Sequence, residues 1–218
     1  MGKRRLEDAL KKIDHPFEVT YRCFELDPNT PKNVNKNMYE ALAQKYGMSI
    51  EQAKANTQNM VRMAKEVGLD YQMDTLILTN TFDAHRLTMF AKTKGLMIEM
   101  TERILQAYFT ESKHIGDHET LTELAVEVGL EREAVTAMLA SDAMTDEVRA
   151  DEELAKQYRV TGVPFYLFNN KYALTGAQPT EVFVEALQKV IAEADEVTVL
   201  NGQDNAVCDD DGCEIPKK

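Results

Sequence analysis

The chain has 218 residues, 44% of them apolar, and a formal net charge of −12 from 37 acidic and 25 basic side chains. That acidity argues against a nucleic-acid-binding surface, which needs a basic patch, and no apolar run approaches the roughly 20 residues of a membrane span. Three cysteines are too few for a disulfide-built secreted scaffold. The length suits one domain, or a small domain carrying a large insertion.

Residues 3–13 already read as helix interior. Leu6, Ala9, Leu10 and Ile13 form one apolar stripe, yet no Ser, Thr, Asp or Asn precedes them as a cap. Their basic start, Lys3-Arg4-Arg5, lacks the following apolar run of a signal peptide. His15-Pro16 breaks the helix. Phe17, Val19, Tyr21 and Cys23 then alternate with other residues, which predicts a strand over 17–24. Asp27-Pro28-Asn29-Thr30-Pro31 ends it with turn chemistry.

From about 35 to 158 nearly everything reads as helix. Ser49 with Gln52 is a capping box for a helix over about 50–67, and Gly68 stands where a helix-ending glycine belongs. Asn80 or Thr81 caps a helix that ends near Gly95. Further helices are predicted over 97–112, from Asp117 to Gly129, over 131–140 and over 144–158. The methionines scattered through this block read as core filler.

The texture then changes. Phe165-Tyr166-Leu167-Phe168 is a β-rich apolar run, Asn169-Asn170 a hairpin-type turn, and residues 171–174 a second short strand. Pro179 suits the first turn of a last helix over 179–194, with Phe183, Leu187 and Val190 facing inward. The final 24 residues hold seven acids and two lysines, so −5 of the net charge lies there. They lack periodicity and read as a mobile tail.

Six segments, in this order, resemble the DsbA family of thiol–disulfide oxidoreductases, and its FrnE-like branch in particular. They are GKRRLE at 2–7, YRCFELDPN at 21–29, NTFDAHRL at 80–87, AYFTESKHIGD at 107–117, VTGVPFYLFNNKYALTGAQP at 160–179, and the tail C-x4-C at 208–213. The resemblance implies an α/β thioredoxin-like fold with a large all-helical insertion. It divides the chain into a thioredoxin-like part, 1–30 with 157–194, an inserted helical domain over 31–156, and an acidic tail over 195–218.

The family carries its redox pair as C-P-x-C directly before a segment of the Tyr-Ile-Gly-Lys-Arg-Arg type, whose last four residues resemble Gly2-Lys3-Arg4-Arg5. A cysteine at a helix N-terminus gains from the dipole and free N–H groups, so its thiolate forms near neutral pH. Here Met1 occupies the preceding position, and the central strand with both cysteines is missing from the sequence. The expectation is that the true start lies some 15–20 residues upstream. A genuine truncation and a cut chain are the competing explanations. Without that strand the sheet keeps a slot and two unpaired edges, and pairing with a second copy (a homodimer) or a shifted sheet is the expected response.

The same resemblance makes Gly162, Val163 and Pro164 the substrate-binding loop. Pro164 is expected in cis, with Gly162 allowing close approach and the backbone of Val163 pairing with a substrate strand. Cys208 and Cys213 are the candidate auxiliary redox pair. Three aspartates between them disfavour the thiolates, and the 13-residue step from Asp195 can span up to about 43 Å, enough to fold back over the domain. One C-x4-C without a second cluster falls short of a zinc site. Cys23 reads as a buried, inert thiol. His85 is a candidate pocket residue, weighed against a plain inter-helix bond, which the reading favours. His15, His114 and His118 show no matched partners.

The implied function is disulfide exchange or isomerisation on protein or small-molecule thiols in the cytoplasm, with no cofactor and no metal, impaired as long as the C-x-x-C is absent. Two alternatives stand beside it. One is a glutathione-dependent enzyme of the kappa-class transferase or 2-hydroxychromene-2-carboxylate isomerase type. The other is a peptide-binding, chaperone-like module without thiol chemistry.

Overall fold

The computed structural model describes residues 1–194. The expected tail, with Cys208 and Cys213, lies outside them. In chain order the described elements are α1 (Gly2–Leu10), α2 (Met38–Tyr46), α3 (Ile50–Lys65), α4 (Phe82–Lys92), α5 (Met97–Phe109), α6 (His118–Glu127), α7 (Arg132–Leu139), α8 (Thr145–Gln157), β1 (Phe165–Phe168), β2 (Tyr172–Thr175) and α9 (Thr180–Ala194).

Local chemistry sets most boundaries. The Ser49 side chain accepts from the Gln52 N–H and the Gln52 side chain answers, so α3 opens with the box its sequence promised. Asn37 and Glu40 build the same box at α2. The Asp117 carboxylate accepts from the Thr120 N–H and starts α6. Gly47, Gly68, Gly95 and Gly129 follow α2, α3, α4 and α6 with φ between +64° and +94°, where only glycine is unstrained. Asn169 and Asn170 both take positive φ between β1 and β2, the backbone of a type I′ turn.

The helical body packs around α4. Leu87, Met100, Leu121, Leu124 and Val135 are wholly buried between α4, α5, α6 and α7. Each such side chain stabilises by about 1.5–3 kcal/mol through burial. Met73, Met89, Met97, Met100 and Met138 are buried and act as filler. Ala9 of α1 and Phe183 and Leu187 of α9 form a separate core under the hairpin.

A charged knot joins α4 to its neighbours. Arg86 donates to Asp83 and to the carbonyls of Met138, Ser141 and Ala143. Asp83 also accepts from Lys32 at 2.7 Å and bonds His118 Nε2 at 2.7 Å. His118 therefore has a partner its sequence position did not reveal, because that partner lies 35 residues away. His114 likewise bonds the Lys32 carbonyl.

One expected element is corrected. Residues 17–24 form no strand. Among the described residues the sheet has two strands, β1 and β2, antiparallel with Phe165 opposite Thr175 and Phe168 opposite Tyr172. The alternation itself holds for Phe17, Tyr21 and Cys23, which turn inward, while Val19 stays exposed. A strand needs a partner's ladder, and here the Cys23 N–H is taken by the Asp151 carboxylate instead.

Candidate functional site

The site gathers where α1 begins, where α8 hands over to β1, and along segment 17–24. Val163–Pro164 is a cis peptide bond directly ahead of β1. The Pro164 carbonyl accepts from the Gly176 N–H at 2.8 Å, which fixes the loop to the end of β2. Thr161, Gly162 and Val163 make no backbone hydrogen bond with any described residue. The Val163 side chain is 47% exposed, unusual for a large apolar residue beside a strand. A Cβ placed on Gly162 would meet no atom, so the space beside this edge is open.

The start of α1 lies against the same loop. A Cβ on Gly2 would fall 3.0 Å from Pro164 Cγ and would collide with the Tyr166 hydroxyl, so only glycine fits there. Arg5 Nη1 donates to the Ala177 carbonyl at 2.5 Å, tying α1 to the turn after β2. Lys3 and Arg4 share Glu102 of α5. The first turn of α1 carries no acid, so the helix dipole leaves this end favourable for an anion.

Below it runs a cleft of about 580 Å³. It is lined by segment 17–24 and by all four residues of β1, with Leu6 of α1 and Leu187 of α9. Among the described residues β1 is paired along one edge only. Two extended runs thus border one mostly apolar cleft. Tyr166 lines this cleft, and its hydroxyl is buried without a described partner. Burial pushes its pKa up to about 12.

Cys23 is 2% exposed. Burial first, then the carboxylates of Asp151 and Glu152, push its thiol up to about 12, so it is not a nucleophile at neutral pH. His85 lines neither the cleft nor the loop groove. It sits beneath residues 23–24, where burial lowers its pKa and keeps the ring neutral. Its carbonyl is the acceptor 3.8 Å from Cys23 Sγ. Of the candidates, the structure brings together Gly162, Val163 and Pro164, and it sets His85 apart from them. Cys208 and Cys213 lie outside the described residues.

Two features went unread in the sequence. The Tyr166 hydroxyl is one, and nothing in an apolar strand signals it. Arg159 is the other. It takes φ +55° just after α8, where glycine serves at four of the five preceding helix ends with positive φ and Ser112 at the other.

Residues 1–188 match the family model described as the DSBA-like thioredoxin domain. The uncharacterized protein YwbO of Bacillus subtilis is 27% identical over 189 residues, which cover 86% of this chain and 88% of that protein. A probable DsbA oxidoreductase from Streptomyces coelicolor is 40% identical and superposes with a TM-score of 0.85 over 99% of this chain and 93% of its own. The cytosolic disulfide reductase DsbM from Pseudomonas aeruginosa, solved with GSH, is 17% identical with a TM-score of 0.59 over 88% of this chain and 92% of its own, and so shares the fold. The chain belongs to the DSBA-like thioredoxin domain family.

Proposed function

We propose that the protein exchanges disulfides with protein or small-molecule thiols in the cytoplasm, as an FrnE-like member of its family. In this reading the exchanging cysteine pair stands upstream of Met1, on the helix that α1 continues. The strand ahead of that pair fills the cleft between segment 17–24 and β1. The observation that carries this reading is the cleft itself, an apolar gap of about 580 Å³ bounded by β1's free edge and the unpaired 17–24 run. At its upper end the start of α1 touches Pro164.

The chemistry follows from that placement. A thiolate at the start of the helix that α1 continues is stabilised by the dipole and by a helix turn without acids. The free amide and carbonyl of Val163 hold an extended substrate by strand addition, beside the attacked sulfur. The thiolate displaces one sulfur of the substrate disulfide, and the second cysteine of the pair resolves the mixed disulfide. Cys208 and Cys213 serve as an auxiliary pair that exchanges with the main one.

Insulin reduction by dithiothreitol tests the reading. The 218-residue chain should give no acceleration, and the chain extended through its upstream reading frame should give a strong one. Acceleration by the 218-residue chain carrying Cys208→Ser and Cys213→Ser together would sink it. Binding of unfolded peptide without turnover by the extended chain would favour a chaperone-like module instead.

A further inference from the structure

Six arginines of this chain, Arg4, Arg22, Arg86, Arg103, Arg132 and Arg149, each bind at least one carboxylate. Arg159 is different. Its side chain makes no hydrogen bond or ion pair with any described residue. It lines a groove of about 270 Å³ together with Thr161, Gly162, Val163, Pro164 and Thr175, and no acidic side chain lines that groove.

Its backbone adds a second observation. The Val160 N–H bonds the Ala155 carbonyl and the Arg159 N–H bonds the Lys156 carbonyl, which closes α8 and demands a left-handed residue at 159. Glycine meets that demand after α2, α3, α4 and α6, and the short Ser112 after α5. Arginine meets it only with strain, because its Cβ crowds the following carbonyl. A cation near a helix C-terminus recovers part of the cost, but Lys156, in the last turn, already supplies one. The position is thus poorly chosen for folding and well placed beside the docking edge.

We propose that Arg159 is a specificity-determining residue, which takes a carboxylate carried by the incoming thiol or disulfide substrate. The groove is too small for a folded partner's side and is sized for an acidic side chain or a terminal carboxylate. The Val163 backbone holds the substrate chain, and Arg159 reads its charge. The preferred substrates are therefore acidic thiol peptides, small or within proteins. This inference rests on the exchange reading only in taking the Val163 edge as the docking site.

Two extended peptides test it, both with serine in place of the exchanging cysteine. One carries an aspartate two residues from the serine, and the other an asparagine. Backbone amide shifts of the full chain are followed during titration. The aspartate peptide should perturb Thr161, Gly162 and Val163 and bind about threefold to fivefold tighter, as a solvent-exposed ion pair allows. The preference should shrink with salt and vanish in both Arg159→Gly and Arg159→Gln. Equal binding of the two peptides, or a preference that survives Arg159→Gln, overturns the assignment and leaves the docking edge intact. If neither peptide perturbs these amides, both the assignment and the docking edge fall.

Discussion

Asp151 of α8 holds Cys23 by its backbone. The Cys23 N–H donates to Asp151 Oδ2 at 2.8 Å, and Asp151 Oδ1 accepts from Arg22 Nη1 at 2.9 Å. The carboxylate is 4% exposed. It therefore substitutes for a neighbouring strand at this point and pins one wall of the cleft to the helical body. Replacing it leaves a buried N–H and an arginine without their acceptor. Asp151→Ala should cost about 2–4 kcal/mol, read as a lower urea midpoint with an unchanged slope. A loss below about 0.5 kcal/mol would show that the wall is held elsewhere.

Cys23 supplies a prediction on pH. Its thiol, raised to about 12, keeps its proton in the folded chain long after an unfolded cysteine has lost one. The folded state then binds more protons than the unfolded state, so stability falls as pH rises above the unfolded value of about 8.5. In Cys23→Ala this alkaline loss should be reduced. In the native chain at pH 8, Cys23 should resist iodoacetamide and be alkylated only after unfolding, which peptide mass spectrometry reads directly.

Asp83 predicts the opposite limb. Burial acts to raise its pKa, but hydrogen bonds from Lys32, His118 and Arg86 outweigh burial and lower it to about 2. A carboxylate depressed on folding stabilises above its unfolded value and loses that contribution as pH falls through the folded one. The charged knot should therefore weaken between about pH 4 and pH 2. Asp83→Asn should flatten the stability profile across that window. Acid denaturation curves of the two chains, superimposable below pH 5 after normalisation, would contradict this.

Arg159→Gly makes a paired prediction. Relieving a left-handed arginine removes a strain of about 1–2 kcal/mol, and glycine's greater unfolded freedom takes back about 0.5–1. The variant should be more stable by up to about 1.5 kcal/mol. A variant that melts higher yet loses its charge preference separates a recognition role from a structural one. A lower melting temperature would mean that the arginine is there for the fold.

The parts legible in advance were those written in short-range chemistry. Ser49 with Gln52, Asp117, and the Asn169-Asn170 pair act over three or four residues, so their elements lie close to where the sequence puts them. Asn37 and Glu40 use the same short-range code, yet they sit in an asparagine- and lysine-rich stretch with weak apolar periodicity, and α2 was not singled out. The 17–24 run failed for the complementary reason. Its alternation describes which side chains turn inward, whereas a strand also needs a partner, and Asp151 stands 128 residues from Cys23. His118 and Asp83 show the same dependence on distant partners. In the candidate site, Gly162, Val163 and Pro164 were readable from the family pattern. Arg159 was not, because nothing in a sequence says that a residue sits at positive φ when glycine is absent.

The contact between Gly2 and the Pro164–Tyr166 stretch has a mechanical consequence. With no side chain on Gly2, the helix start closes directly on the Pro164 ring and the Tyr166 hydroxyl, like the jaws of a gauge. Arg5, fastened to the Ala177 carbonyl, prevents them from sliding. Any atom mounted on the first turn of α1 is then held at one range from the Val163 backbone. The tolerance of that gap is set by hard-core repulsion, the stiffest of the non-covalent forces.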